Sequence, residues 1–129
     1  LGDSLTYGVG DTEGGGFVRV VENFYKQKEN NVENVNLAIS WAKSAQVLKQ
    51  LDQKEVHNQI KSADVILLTI GGNDLFRGVE ALDDFKSDAI KQVAASYTSN
   101  LKKSYQTIRQ LNPSLPGFHV GLYNQFMLV

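Results

Sequence analysis

The feature that most constrains the fold is a nearly continuous apolar run, Val-Ile-Leu-Leu-Thr-Ile, at residues 65–70. Asp64 precedes the run, and two glycines, Gly71 and Gly72, follow it. Such a run between turn residues is typical of a strand that is buried on both faces, as strands are in a parallel sheet covered by helices. The run therefore predicts a parallel sheet within an α/β protein.

Helical and extended patterns alternate along the rest of the chain. The apolar spacing predicts four helices, at residues 17–28, from Ser40 or Lys43 to Leu51, at 54–62 and at 83–111. It predicts three strands, at 32–39, 65–70 and 118–123. This alternation predicts an α/β layered fold with helices on both faces of the sheet. Residues 1–129 are expected to form one domain, incomplete at both ends. Leu1 leads directly into turn residues, and the chain stops soon after its last predicted strand.

Composition narrows the classes of partner and chemistry. The chain has 13 Lys and Arg against 14 Asp and Glu, a net charge of −1, which argues against nucleic acid or an anionic membrane as a partner. Cysteine is absent from the sequence, which excludes disulfides, thiolate zinc sites and a cysteine nucleophile. No apolar run approaches the length of a membrane span, so we expect a soluble domain, with its compartment left open.

Three loops follow the three predicted strand ends and carry polar groups. The first begins Gly2-Asp3-Ser4, the second is Ser40-Trp41-Ala42, and the third is Gly71-Gly72-Asn73-Asp74. In the flavodoxin-like strand order 2-1-3-4-5, strand 1 lies between strands 2 and 3, so these loops meet at one edge of the sheet. The order predicts a shared site there.

The residue types in these loops suit acyl transfer. Ser4 offers a hydroxyl nucleophile, and Asn73 offers a side-chain N–H donor. Backbone N–H groups of Ser4 and of the second loop could complete an oxyanion hole. Asp3 and Asp74 flank the site, and we expect them to cap backbone groups, as aspartates beside turns commonly do.

Four segments together resemble the GDSL family, also called SGNH hydrolases: Gly-Asp-Ser-Leu-Thr-Tyr-Gly at 2–8, Asn-Leu-Ala-Ile-Ser at 36–40, Gly-Gly-Asn-Asp at 71–74 and Gly-Leu-Tyr-Asn at 121–124. The resemblance covers essentially the whole chain and is closest to bacterial lipase/acylhydrolase members. It implies a flavodoxin-like three-layer α/β/α fold and a serine esterase, lipase or thioesterase that needs no metal or other cofactor. The compartment stays open; an extracytoplasmic location in a bacterium would be expected if an upstream signal or anchor has been lost.

The resemblance assigns roles to three residues. Ser4 would be the nucleophile and the first oxyanion donor, and Asn73 would be the side-chain donor. The family's second-loop donor is a glycine, and that position here is Trp41. Its backbone N–H can still donate, but its indole would lie in or beside the pocket. If the position requires a positive φ, the backbone is strained by about 1–3 kcal/mol. The alternative is an ordinary core tryptophan.

The chain also departs from the family at the catalytic base. The family's Asp-x-x-His motif is absent from these 129 residues. We expect His57 and His119 to have structural or surface roles and to point away from Ser4, so the base would lie outside this chain. Gln125, where relatives often carry proline, is a local departure.

Other features have structural interpretations. Glu80, Asp83 and Asp84 are expected to form the solvated start of the long helix rather than a metal site. Tyr97 and Tyr105 are expected to pack in the core.

Three functions remain in competition. The first is hydrolysis of a small ester or acyl substrate, with a short acyl chain preferred. The second is a catalytically impaired domain that binds an acyl or glycan ligand, which Trp41 and the missing histidine motivate. The third is a receiver-like or flavin-binding module. It is disfavoured because Gly2-Asp3-Ser4-Leu5 supplies neither paired acids nor a hydroxyl-rich phosphate loop.

Overall fold

The computed structural model describes residues 1–80 and 87–121, without the side chains of 77–80 and 87. Within these ranges the helices are α1 (Ser4–Tyr7), α2 (Gly16–Lys26), α3 (Ser44–Gln50), α4 (Lys54–Ser62), α5 (Gly72–Glu80) and α6 (Ser87–Leu111). The strands are β1 (Ile66–Thr69) and β2 (Gly117–Val120). The predicted strands at 65–70 and 118–123 are therefore observed in shortened form, and residues 122 and 123 lie outside the described ranges.

The two strands pair in parallel, with Ile66 beside Gly117 and Thr69 beside Val120, which confirms the predicted parallel sheet. The first residues of the chain lie along the other side of β1. Gly2 forms a parallel bridge with Thr69, and the nitrogen of Leu1 donates to the Leu67 carbonyl at 3.0 Å. The Gly2 carbonyl in turn accepts from the Ile39 N–H at 2.9 Å. The order across the sheet is therefore the segment ending at Ile39, then Gly2, β1 and β2, as the flavodoxin-like order predicts.

The prediction of a strand over residues 32–39 is wrong, because no regular ladder forms there. The side chain of Asn36 competes for the backbone: its Oδ1 accepts from the Ala38 N–H at 3.0 Å, and its Nδ2 donates to the Thr6 carbonyl at 2.9 Å. Asparagine commonly forms such local bonds in place of a ladder. The segment still reaches the correct sheet edge through Ile39.

The helices differ from the predictions mainly at the third loop. Helix α4 occupies the predicted residues, whereas α5 begins at Gly72 in a segment that was predicted only as a turn. Helix α6 is described from Ser87, so the predicted start with Asp83 and Asp84 lies outside the described residues, as does Gln125. Glu80 lies in α5, so its assignment to the start of the long helix is wrong, and the interpretation of Asp83 and Asp84 stays a prediction.

The core lies on one face of the sheet, between β1 and the helices α3, α4 and α6. Its buried side chains are Leu1, Ala42, Val47, Leu51, Val56, Ile60, Leu68, Ile70, Ile108 and Leu115. On the other face, Leu67 lines a groove together with Val18 and Val21 of α2. Because strand side chains alternate between faces, Leu67 and Leu68 serve different layers. The chain thus forms a three-layer α/β/α arrangement.

A partly buried polar network joins α3, α5 and α6 next to the carboxyl end of β1. The Asp74 carboxylate accepts from the Ser44 N–H at 2.8 Å and from the Ser44 Oγ at 2.5 Å. Asn100 of α6 donates its Nδ2 to the same Oγ at 3.0 Å. Asp74 therefore satisfies an N–H group at the start of α3, where helices lack internal acceptors. This confirms that Asp74 caps backbone, although the helix it caps is not its own.

Replacing Leu51 with alanine should strongly destabilise the protein. Leu51 is 0% exposed, and truncating a buried leucine leaves a cavity. We expect Leu51→Ala to lower the free energy of unfolding by about 2–5 kcal/mol, measured by urea denaturation. Val20→Ala, at a position that is 64% exposed, should change it by less than about 0.5 kcal/mol. Equal effects of the two variants would contradict the location of the core.

Replacing Ser44 with alanine should test the polar network. Asp74 and Asn100 would each lose a buried partner, so we expect Ser44→Ala to lower the free energy of unfolding by about 1–3 kcal/mol. The control is Ser62→Ala, because the exposed Ser62 hydroxyl bonds only to carbonyls of its own helix. Its effect should stay within about 0.5 kcal/mol in the same urea titration. A Ser44→Ala protein as stable as the control would show that the network contributes little.

Candidate active site

The first loop is fixed to the end of β1 by a buried group of oxygens. The Asp3 N–H donates to the Thr69 carbonyl at 2.9 Å, and Asp3 Oδ1 accepts from Thr69 Oγ1 at 2.7 Å and from the Leu5 N–H at 3.1 Å. The hydroxyls of Thr6 and Thr69 share a further bond of 2.7 Å. Asp3 is therefore the N-cap of α1, as predicted, and Ser4 is the first residue of that helix, half-buried.

Glycine is required where this loop leaves the sheet. Gly2 has a φ of 138°, and a Cβ at this position would lie 2.2 Å from the Thr69 carbonyl oxygen. No other residue can approach β1 so closely. The close approach places Ser4 directly beyond the carboxyl end of the strands.

The loop that follows Ser4 is held by a carboxylate. Asp11 accepts from the backbone N–H groups of Glu13 at 3.0 Å and Gly16 at 2.9 Å. The bond from Glu13 is the main cause that lowers the pKa of Asp11, and Arg19 contributes further. The half-buried Asp11 therefore acts as a backbone acceptor that orders the connection between α1 and α2.

The second loop is a tight turn with tryptophan at the position where glycine is favoured. The Ala42 N–H donates to the Ile39 carbonyl at 3.0 Å, which closes a four-residue turn with Trp41 third. Trp41 has a φ of 65°, and among the described residues it is the one non-glycine residue with a positive φ. A turn with positive φ at its third residue normally carries glycine or asparagine there. The condition stated for this position, a positive φ, is therefore met, at a strain of about 1–3 kcal/mol.

The Trp41 side chain does not belong to the core. It is 59% exposed, so the alternative of an ordinary core tryptophan is wrong. Its indole is exposed beside the turn, which the hydrogen bond from Ala42 to Ile39 closes.

Asn73 joins the third loop to the second. It lies in the first turn of α5, and its Nδ2 donates to the Ala42 carbonyl at 2.9 Å. The turn that contains Trp41 is thus bonded to Asn73 on one side and, through Ile39, to Gly2 on the other. The loops of Ser4, Trp41 and Asn73 therefore meet at one edge of the sheet through direct hydrogen bonds between neighbouring segments.

Both histidines bond to residues outside these loops, and His119 also interacts with the Ile70 backbone and with Asp3. His57 Nε2 lies 2.5 Å from the Leu51 carbonyl, on α4, the helix that precedes β1. His119, in β2, bonds through Nδ1 to the Tyr105 hydroxyl, and its burial lowers the pKa of the ring below the ordinary value. The structural roles expected for both histidines stay a prediction. The prediction for Tyr97 holds, since it packs against the core, whereas Tyr105 is exposed.

Sequence reasoning missed three of the polar residues that build this edge. Thr69 interrupts the apolar run, and Asn100 lies between apolar positions of α6. Ser44 follows a lysine at the start of α3. A polar residue inside an otherwise apolar pattern was the available signal, because buried polar groups need partners.

In residues 1–80 and 87–121, no three His, Asp or Glu side chains cluster closely enough to hold a metal ion. No helix in the same ranges has the length and hydropathy that a membrane crossing requires.

The sequence and the fold both match known hydrolases. The chain is 33% identical over 129 residues to the uncharacterized protein YpmR of Bacillus subtilis, which aligns 98% of this chain with 51% of that protein. It is also 33% identical over 136 residues to the spore germination lipase LipC of Bacillus licheniformis, covering 98% of this chain and 63% of LipC. The crystal structure of the lipase Lip_vut3 from a goat rumen metagenome superposes with a TM-score of 0.85 at 28% identity, covering 100% of this chain and 65% of that one.

These proteins are longer than the chain, which spans from about half to just under two-thirds of their lengths. The shared fold with Lip_vut3 agrees with the predicted flavodoxin-like α/β/α class. Residues 1–128 match the family described as GDSL-like lipase/acylhydrolase, and the relatives whose names state an activity are lipases. The chain belongs to the GDSL-like lipase/acylhydrolase family of hydrolases.

Proposed function

We propose that this chain carries the nucleophile and the oxyanion hole of a serine hydrolase for carboxylic esters. Ser4 is the nucleophile, and the donors are the backbone N–H groups of Ser4 and Trp41 and the side-chain amide of Asn73. The observation that carries the proposal is the hydrogen bond from Asn73 Nδ2 to the Ala42 carbonyl, because it fixes the amide beside the Trp41 turn.

The Asn73 bond suits an oxyanion donor. A primary amide has two N–H groups, and the Ala42 carbonyl engages one of them. The second N–H is then held in a set direction by the first bond, and no reorganisation is needed when negative charge develops. Fixed donors of this kind account for much of the stabilisation of acyl-transfer transition states.

The position of Ser4 suits a nucleophile that also donates its N–H. The N–H groups in the first turn of a helix lack internal acceptors, and Ser4 is the first residue of α1. In the proposed reaction, Ser4 Oγ attacks the ester carbonyl carbon while a base removes its proton. The carbonyl oxygen becomes the oxyanion that the donors stabilise. Collapse of this intermediate expels the alkoxide, which takes the proton from the base and leaves as the alcohol, and water then releases the acid from the acyl-enzyme.

We propose that the base is neither His57 nor His119. His57 is bonded to a carbonyl at the end of α3, and His119 is bonded to Tyr105 on α6. Ser4 is fixed instead by Asp3 to the end of β1. A base must come within about 2.6–3.2 Å of the hydroxyl, so we assign it to a residue outside the sequence 1–129.

The substrate side of the proposal is a small ester or acyl compound. The lipase activity named for LipC and Lip_vut3 supports ester chemistry, and the nearly neutral charge of the chain does not favour nucleic acid. The proposed chemistry uses no metal or other cofactor.

A second candidate is a catalytically impaired domain that binds an acyl or glycan ligand. The observation that favours it is the indole of Trp41 beside the proposed oxyanion hole, together with the structural bonds of both histidines. Ester turnover separates the two candidates.

The 129-residue chain should hydrolyse p-nitrophenyl butyrate poorly, and a version extended past Val129 should hydrolyse it efficiently. Without its base, a serine hydrolase keeps only about 10³–10⁴-fold catalysis over water. In the extended version, Ser4→Ala should abolish turnover, whereas Ser62→Ala should leave it unchanged. If the 129-residue chain matched the extended version and lost its activity on Ser4→Ala, a base within residues 1–129 would be required. Absence of Ser4-dependent turnover from both versions would favour the binding domain.

Asn73→Ala in the extended version should lower kcat by about 10²–10³-fold with little change in KM, because an oxyanion donor acts mainly in the transition state. The control is Asn112→Ala. Asn112 also donates its Nδ2 to backbone carbonyls, those of Ile60 and Ala63, but lies after α6 and away from the site. We expect the control to lose stability without losing kcat at a temperature where it is folded. Equal kcat in the two variants would refute the role of Asn73.

A further inference from the structure

The carbonyl of Ile70 is the last backbone acceptor before the loop that carries the proposed oxyanion donor. Ile70 directly follows β1 and is 2% exposed. The next residue, Gly71, has a φ of 122°, and its carbonyl accepts from the Leu75 N–H at 3.1 Å to close the first turn around Asn73. A group that bonds to the Ile70 carbonyl therefore acts at the point where the chain turns from the sheet into α5.

Two side chains from other elements reach the backbone of Ile70. Tyr97 of α6 donates its hydroxyl to the Ile70 carbonyl at 3.2 Å. His119 of β2 interacts with the same backbone group in the sense that favours an N–H on the ring, which is the effect of a carbonyl acceptor. In the register of the sheet His119 lies beside Leu68, which is on the same face of β1 as Ile70. An α6 phenol and a β2 imidazole thus converge on one carbonyl.

The protonation of the ring and of its partner follows from their burial. Burial is the main cause that lowers the pKa of His119, and the Ile70 backbone and Asp3 oppose it, so the ring is neutral near pH 7. Burial also raises the pKa of Tyr105, whose hydroxyl therefore keeps its proton. A neutral imidazole has one donor nitrogen and one acceptor nitrogen.

The bond to Tyr105 favours one tautomer of His119. Nδ1 is bonded to the Tyr105 hydroxyl, and Nε2 is buried and completes no hydrogen bond of ordinary geometry with the described residues. When Tyr105 donates to Nδ1, the N–H of the ring lies on Nε2. Nε2 is then the nitrogen that is left to interact with Ile70.

Packing alone does not account for a histidine at this position. A cavity of about 320 Å³ lies beside the ring, and its lining includes the apolar side chains of Leu68, Ile108 and Leu115. A phenyl or aliphatic side chain would suit these neighbours and would bury no nitrogen that lacks a complete bond. Incompletely bonded polar atoms are uncommon in protein interiors and call for an explanation. The interaction of His119 with Ile70 supplies one.

We propose that His119 is a positioning residue for the proposed oxyanion donor. Together with Tyr97 it holds the Ile70 carbonyl, and through this carbonyl it sets the direction in which α5 leaves the sheet and presents Asn73. This role rests on the proposed function, because it takes Asn73 to be a donor. His119 touches no substrate in this role and acts only through the backbone of Ile70.

The first test observes the Asn73 side chain directly, in the 129-residue chain and without substrate. His119→Phe keeps a ring but removes both nitrogens, and NMR follows the side-chain amide of Asn73. We expect its resonances to shift and its hydrogens to exchange with solvent severalfold faster, because the bond to Ala42 loosens. The matched control is His57→Phe. His57 is also half-buried and bonds to a backbone carbonyl, that of Leu51, but lies on α4. It should leave the Asn73 resonances unchanged.

A milder variant tests the same connection if His119→Phe does not fold. Tyr105 is 39% exposed, and Tyr105→Phe removes only the hydroxyl that favours one tautomer. Nitrogen NMR of the ring should find the N–H on Nε2 in the unchanged chain and a mixture of tautomers in Tyr105→Phe. The Asn73 resonances should shift in the same direction as in His119→Phe, by a smaller amount.

The second test measures turnover of p-nitrophenyl butyrate by the extended version. His119→Phe should lower kcat about tenfold and leave KM nearly unchanged, because a slightly misplaced donor costs more in the transition state than in substrate binding. His119→Gln should restore kcat to within about threefold, since glutamine keeps one acceptor and one donor. His57→Phe should leave both constants unchanged. A loss that came only from lower stability would not show this separation of kcat from KM.

The outcomes that would overturn the positioning role are distinct from those that concern the reaction. Unchanged Asn73 resonances in both His119→Phe and Tyr105→Phe would overturn it, as would equal effects of His119→Phe and His57→Phe on kcat. A ring N–H found on Nδ1 at neutral pH would also overturn it. Displaced Asn73 resonances without Ser4-dependent turnover in the extended version would reject the proposed function and leave the connection between His119 and Asn73 in place.

Discussion

The candidate site depends on one hydrogen bond, from the side-chain amide of Asn73 to the Ala42 carbonyl. It joins the loop after β1 to the turn that contains Trp41, which Ile39 in turn bonds to Gly2. Three segments that are distant in the sequence are thereby fixed to one another at the carboxyl edge of the sheet. A hydrogen bond contributes only about 0.5–1.5 kcal/mol to stability, so its importance here lies in orientation.

The residues that hold the elements around this bond are polar, although the core beside them is apolar. Asp74 holds the start of α3 through Ser44, and Asn100 of α6 closes the network. Because every member has a partner, the network tolerates burial and specifies one arrangement of three helices. The proposed donor, Asn73, therefore lies next to residues that hydrogen bonds hold in place. A preorganised site requires donors that are fixed in this way.

The sequence predicted the α/β class, the parallel pairing and helix α4, because these follow from apolar periodicity. The predictions were wrong where short-range polar interactions with the backbone determine its local conformation. Asn36 replaces a strand with local bonds, and Gly71-Gly72 resembles a turn although α5 begins there. The capping roles of Asp3 and Asp74 were predictable from their residue type. Their partners, Thr69 and Ser44, were not, because tertiary contacts between segments leave no local periodicity.

Trp41 connects the backbone conformation of the second loop with the candidate site. The turn from Ile39 to Ala42 needs a positive φ at its third residue, and that requirement comes from the bonds to Gly2 and Asn73 on either side. A glycine would meet it without strain, so strain alone cannot account for a tryptophan. The indole gains no core contacts that would offset the strain, since it is exposed beside the proposed donors.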